Sequence, residues 1–354
     1  MKIRLAILEA DEGYLKRIVT AFNAKFPDKL EIYSFTDKNT ALQSLAPSKI
    51  DVFVASESFE IDPTRIPKRC GFAYFVDSAD VELLNNQPTI CRFQKADLIY
   101  RQILSIYSEH AGTFTELKLN DEGCQVIAFA SPGGGGGTSI MAAACALHFA
   151  AQGSKTFYLN LEPFGSADDF FSGPGQFDMS DVIYALKTRR ANLAMKLESC
   201  SKQDARGVSF LSSPKLALDM MELTNEEVLR LIHEIRVSGE YDYLIVDTSF
   251  DLRKDTLKVL HQANAVVLVG SGNTTSNTKL RRAISALSVM EQNADDPLMN
   301  RMVLAYNRFS SKVGTIENDL GIRVVGAAPR SEHATTEQLL EQLSKNGLFD
   351  EILK

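Results

Sequence analysis

The residues of this chain best suited to chemistry lie between Ser131 and Ser139: Ser-Pro, then five consecutive glycines, Gly133, Gly134, Gly135, Gly136 and Gly137, then the hydroxyl side chains of Thr138 and Ser139. An apolar run, Val126–Ala130, precedes them, and an apolar segment from Thr138 to Ala151 follows. A strand leading through a glycine loop into a helix wraps main-chain N–H groups around phosphate oxygens at the helix N-terminus. Glycine suits such a loop because side chains would block close approach and several positions need positive φ. Thr138 stands where a loop hydroxyl would ligate Mg2+, with Ser139 one residue into the helix. Two later apolar runs end in polar or acidic groups: Tyr158–Glu162, carrying Asn160 and Glu162, and Tyr241–Asp247, followed by Thr248. The five histidines (His110, His148, His233, His261, His333) and five cysteines (Cys70, Cys91, Cys124, Cys145, Cys200) are dispersed, with no triad, metal or disulfide spacing.

The elements that must hold these groups form two blocks of alternating strand and helix. In the first, strands are predicted at Ile3–Leu8, Leu30–Phe35, Val52–Ala55, Ala73–Val76 and near Thr89–Phe93. Leu15, Ile18, Val19, Phe22 and Phe26 make one buried stripe on a helix that Pro27 ends. A helix over Asp97–Tyr107 closes the block. The polar stretch at residues 109–122 reads as a linker between a domain at 1–108 and one at 123–354. In the second block strands are expected at Val126–Ala130, Thr156–Asn160, Val208–Leu211, Tyr243–Val246, Ala265–Val269, Met302–Ala305 and Val324–Val325. Helical patterns at Thr138–Ala151, Asp181–Leu197, Asn225–Val237 and Thr278–Met290 separate them. Both blocks predict α/β, doubly wound domains with mostly parallel sheets covered on both faces.

Composition sets bounds. At 354 residues, two domains are the natural expectation, and 45% apolar with 23% charged residues is ordinary globular usage. The formal net charge of −7 argues against a general nucleic-acid binder and leaves room only for local basic patches such as Arg189-Arg190 or Arg281-Arg282. Met1 runs straight into a strand pattern without a signal-peptide pattern, and no apolar run could span a bilayer. A cytoplasmic protein without integral membrane association is expected.

The glycine run resembles the deviant phosphate loop of MinD/ParA-type ATPases, K-G-G-x-G-K-T-[ST]. Pro132–Ser139 matches its glycines and both hydroxyls, whereas its two lysines fall on Pro132 and Gly137. In that family the first lysine reaches across a dimer to the partner's nucleotide and the second contacts the terminal phosphates. The resemblance implies a P-loop NTPase fold, ATP and Mg2+ as ligands, and a homodimer. It also sizes the loss: a unit charge about 4 Å away at an effective dielectric near 20 is worth about 4 kcal/mol. Removing one preorganised charge stabiliser costs roughly 10²–10³ in rate. Binding can rest on backbone amides and Mg2+; the chain is expected to be at most a weak ATPase.

The same resemblance assigns further residues. Asn160 and Glu162 fall on the acidic positions of the family's D-x-D-P, Glu162 orienting the attacking water or lying near Mg2+. Asp247 ends a Walker B-like strand and would hold Mg2+ through water, as Thr138 would directly. Asn307-Arg308 resembles the segment whose asparagine reads the adenine edge, and Gly326–Pro329 the G-x-x-P element beside the base.

The first block resembles a response-regulator receiver. Glu9 and Asp11 follow its first strand, as metal-binding carboxylates do there, but Glu57 falls on the phosphoacceptor aspartate. Pro63 and Pro67 leave the usual third helix short or missing, and Arg92 falls on the basic position after the last strand. The resemblance implies a pseudo-receiver used for docking, without phosphorelay; an unrelated flavodoxin-like domain is the alternative. Pseudo-receiver followed by deviant MinD/ParA-like domain resembles the TadZ/CpaE proteins of tad (Flp) pilus assembly, which recruit the pilus and secretion machinery at a cellular site, often the pole. A ParA-like partitioning ATPase that binds DNA, and a nucleotide-regulated signalling protein, remain as alternatives.

Overall fold

The computed structural model describes residues 2–110, 123–189 and 192–354. Contacts divide the chain into two compact units, Met1–Glu116 with Tyr184–Cys200, and Leu117–Ile183 with Ser201–Lys354.

The first unit contains β1 (Ile3–Leu8), α1 (Glu12–Lys25), β2 (Leu30–Phe35), α2 (Lys38–Ser44), β3 (Val52–Ser56), β4 (Gly71–Val76), β5 (Leu83–Leu84), β6 (Gln87–Cys91) and α3 (Ala96–His110). Its sheet runs β2-β1-β3-β4-β6-β5, parallel except for β5 against β6. Helices α1 and α3 cover one face, burying Tyr14, Ile18, Phe22, Ile99 and Ile103; α2 covers the other over Phe53, Phe72 and Tyr74. Asp11 caps α1, accepting from Tyr14 N at 2.9 Å. Five strands were expected; the sixth, β5, is two residues long. Asn85 and Asn86 both take positive φ and return the chain onto β6 as a two-residue hairpin. Between β3 and β4 only a single 3-10 turn, Pro63–Arg65, stands where a receiver's third helix would be.

The second block begins with β7 (Gln125–Ala130), α4 (Thr138–Ala151), β8 (Thr156–Asn160), α5 (Met179–Thr188) and α6 (Leu193–Cys200). One helix was expected over Asp181–Leu197. It is two, because Arg189 at φ 52 takes the left-handed conformation that ends a helix. Helix α6 packs on α3 in the first unit: Met195 joins that core, and buried Lys196 donates to Ser105 Oγ at 2.8 Å. Of the expected linker, Glu109 and His110 complete α3, and residues 111–122 lie outside the described residues, as does Arg190 of the basic pair.

There follow β9 (Lys202–Gln203), β10 (Val208–Phe210), α7 (Ala217–Met221), α8 (Asn225–Val237), β11 (Tyr243–Asp247), α9 (Lys254–Leu260), β12 (Ala265–Gly270), α10 (Thr274–Met290), β13 (Met302–Phe309), β14 (Arg323–Pro329) and α11 (Thr336–Ser344). The sheet order is β14-β13-β12-β7-β11-β8-β10-β9, with only β9 antiparallel. The two-residue β9 is an eighth strand where seven were expected, too short to carry a period. Strand β12 is buried along its whole length, as a central parallel strand covered on both faces should be. Helix α4 is buried from Ile140 to Phe149, its small residues letting it lie close over the sheet. Because β7 is flanked by β12 and β11, chain direction across the sheet switches there. The crevice at the carboxyl ends of these strands is where open α/β sheets receive ligands.

Candidate functional site

The glycine loop occupies that crevice. Ser131 Oγ, 2.8 Å from both Gly133 O and Val269 O, anchors its start to the end of β12. Gly135 at φ 80 and Gly137 at φ 77 supply its left-handed turns. Gly137 is the N-cap of α4 and, having no side chain, leaves the amides of the first turn without a side-chain acceptor. A Cβ on Gly137 would lie 2.4 Å from Asn307 Nδ2. The lysine of the resembled motif is therefore excluded here by backbone and neighbour alike.

The register aligns the acidic groups beside the loop. Asp247 pairs with Phe129 of β7 on one side and with Asn160 of β8 on the other. Its carboxylate is fully buried; Tyr158 Oη donates to Oδ2 at 2.9 Å and Asn160 Nδ2 at 3.4 Å, while Oδ1 has no hydrogen-bond partner. Burial and then the charge of Glu162 raise the Asp247 carboxyl from 3.8 to about 7. Ser139 Oγ donates to Glu162 Oε2 at 3.1 Å, and Asn160 Oδ1 accepts from Glu162 N at 2.9 Å. Thus Ser139, Asn160, Glu162 and Asp247 form one cluster. The hydroxyl seen against the carboxylates is that of Ser139; Thr138, expected as the metal ligand, opens α4 beside it.

An orphaned buried carboxylate oxygen, with a second carboxylate holding its pKa up, is what a hard divalent cation would relieve. These oxygen donors fit Mg2+, which typically takes one or two protein ligands and completes its shell with water and phosphate oxygens. Among the described residues no group of three or more His, Cys, Asp or Glu is arranged to hold a metal by itself.

The expected base contacts are placed differently. Asn307 was assigned to the adenine edge, yet it is 1% exposed and turned into the loop. Its Nδ2 donates to Gly136 O (3.0 Å) and Gly137 O (3.3 Å), and its Oδ1 accepts from Arg308 N (2.9 Å). Both ends of the amide are engaged because β13 ends against the loop, and Asn307 holds the glycines. Pro329 lies exposed at the end of β14, in register with Phe309. Arg308 reaches the loop itself, NH1 donating to Gly135 O at 3.2 Å. The sequence reading missed Lys279, on α10: its Cδ lies 3.1 Å, and its Nζ 3.7 Å, from where a Cβ on Gly133 would be. No motif marks it; only the sheet order brings α10 to the loop.

In the first unit the carboxylate after β1 is paired with an internal cation. Glu9 is 1% exposed, and Arg92 NH1 donates to its Oε2 at 3.3 Å while also pairing with Asp77. Arg92 follows β6 directly, and Glu57 is exposed just past β3. The Arg92 guanidinium thus stands between the carboxylates of Glu9 and Asp77.

The comparisons with known proteins follow this division. The structure is similar to a ParA family ATPase from Chlorobium tepidum (TM-score 0.52, 22% identity, covering 65% of this chain and 96% of that one). It is also similar to the MinD cell division protein of Aquifex aeolicus (0.47, 18%, 62% and 95%) and to the septum site-determining protein MinD of Pyrococcus horikoshii, solved with Mg-ADP (0.43, 13%, 62% and 94%). The molecule is thus α/β, and its matched part shares the fold of the Chlorobium tepidum ParA family ATPase. Residues 1–108 match the family model of the TadZ-like receiver domain. No curated protein matches the sequence. No helix among the described residues is long and apolar enough to cross a membrane.

Proposed function

We propose that the chain is an ATP-binding localisation and assembly factor for tad (Flp) type pilus biogenesis. Its receiver-like domain, 1–108, docks onto pilus or secretion machinery, and its domain at 123–354, reached through 109–122, binds ATP with Mg2+ and dimerises when loaded. Residues Gly133–Ser139 would cradle the phosphates, and Asp247, with a loop hydroxyl, would hold the metal, which neutralises phosphate charge when bound. Glu162 lies beside Ser139 and could orient water. With glycine at 137 and proline at 132 the loop itself brings no ammonium group to the phosphates, so turnover is weak or absent and the nucleotide acts as a switch. Docking at a cytoplasmic site such as the cell pole belongs to the same reading.

The observation that carries it is the pairing of a TadZ-like receiver domain with a glycine loop at the switch point of a ParA-type sheet, beside an orphaned buried carboxylate. Titration calorimetry of the purified chain with ATP and Mg2+, followed by sedimentation with and without nucleotide, tests it. Micromolar uptake and ATP-dependent dimers with negligible phosphate release are expected. Absence of uptake at millimolar ATP overturns it. Uptake together with ATP-dependent, steeply salt-sensitive DNA binding would favour a partitioning ATPase. Loss of surface pili on deletion of the gene tests the cellular role.

A further inference from the structure

Two exposed cations converge on the glycine loop from outside its own sequence. Lys279 Nζ lies beside Gly133, next to Pro132, where the first family lysine would be. Arg308 lies beside Gly137, the position of the second: its Nε is 3.7 Å from where a Cβ on that glycine would stand, and NH1 donates to Gly135 O. Arg308 takes φ 55, uncommon for a residue with a Cβ, and its N–H is held by Asn307 Oδ1. The turn that brings its side chain to the loop is therefore built in. Neither side chain forms an ion pair among the described residues, in a chain of formal net charge −7. One guanidinium N–H meets a loop carbonyl, leaving its other donors open, and an ammonium offers three. Unpaired cations beside uncapped helix amides are suited to a dense anionic tail.

We propose that Lys279 and Arg308 replace in space the two lysines absent from the loop, and that they bind the β- and γ-phosphates of a nucleoside triphosphate. The assignment rests on the nucleotide reading above and names the groups that neutralise its phosphates. It also gives the nucleotide a means of tying α10 and the end of β13 to the loop, because each cation comes from a different element.

The test is calorimetric titration of the full chain with ATP·Mg2+, ADP, AMP and inorganic triphosphate at low salt, in wild type, K279Q, R308Q, the double variant and R308K. Each single loss of charge is expected to weaken ATP binding about tenfold and the pair about a hundredfold, as for charge-assisted hydrogen bonds to separate oxygens. AMP affinity should be unchanged and R308K should recover part of the loss. Competition by inorganic triphosphate, lost in the double variant, supports the same role through the tail alone. Undiminished ATP affinity in the double variant overturns this assignment while leaving the nucleotide reading intact. Equal losses for AMP and ATP overturn it also, placing the two cations away from the tail. No uptake of ATP by the wild type overturns both. Because both side chains are exposed, the variants are expected to melt with the wild type.

Discussion

Restoring the family lysine at position 137 should damage this protein. Gly137 has φ 77, where a residue with a Cβ pays about 1–2 kcal/mol. The new Cβ would also lie 2.4 Å from Asn307 Nδ2, closer than any real contact. Asn307 would have to turn away, breaking its bonds to Gly136 O and Gly137 O inside a pocket where it is 1% exposed. Leaving that buried amide unsatisfied costs about 1–3 kcal/mol. The sum for Gly137→Lys is roughly 2–5 kcal/mol, or about 4–20 °C in the melting of a domain of this size. Two neighbours calibrate it. Gly135 shares the left-handed φ but has nothing within 4 Å of its Cβ position, so Gly135→Lys should cost about 1–2 kcal/mol. Gly134 has neither constraint and Gly134→Lys should fall within about 0.5 kcal/mol of wild type. The chain has no tryptophan, so calorimetry or far-ultraviolet circular dichroism of the full chain is the assay. Equal stability of G137K and G134K, or brisk ATP turnover by G137K, would show that the loop reshapes freely and refute the reasoning.

Other expectations follow from the same contacts. The raised Asp247 carboxyl makes the folded chain the better proton binder between about pH 4 and 7, so its contribution is complete below about pH 4 and is lost as pH rises through 7. Asp247→Asn should remove that slope and gain most over wild type near pH 8, by up to about 4 kcal/mol; an equal difference near pH 5 and pH 8 would contradict it. Arg92→Met leaves Glu9 buried without its cation and should lower the stability of the first unit by about 2–4 kcal/mol in a urea titration; a neutral outcome would show the pair is not needed. Incubation with acetyl phosphate and Mg2+ should add no phosphoryl group to the wild type or to Glu57→Asp, because the Arg92 guanidinium already occupies the carboxylate pocket; one phosphoryl mass on either would refute this. A fragment of residues 1–110 lacks α6, which covers α3, and should bind an apolar dye that the full chain does not. Equal dye binding would mean that α6 adds no cover.

The sequence by itself determined the two α/β layers, the glycine loop and the carboxylates near it, because these depend on local signals. Buried parallel strands must be continuous apolar runs, helices must show one apolar stripe, and a loop wrapping phosphate must be glycine-rich. It also pointed to a short or missing third helix in the receiver-like block, since two prolines within five residues interrupt a helix. The short strands β5 and β9 escaped because two residues carry no period, although Asn85-Asn86 is a hairpin signal in retrospect. Tertiary structure alone decided how the loop's neighbours are used. Strand order 12-7-11-8 buries Asp247 and places Glu162 close enough to add to the cost of ionising it. The end of β13 turns Asn307 inward against the glycines, and α10 carries Lys279 to a loop nearly 150 positions away in sequence. Such contacts join residues far apart along the chain through packing and register, neither of which leaves a local pattern to read.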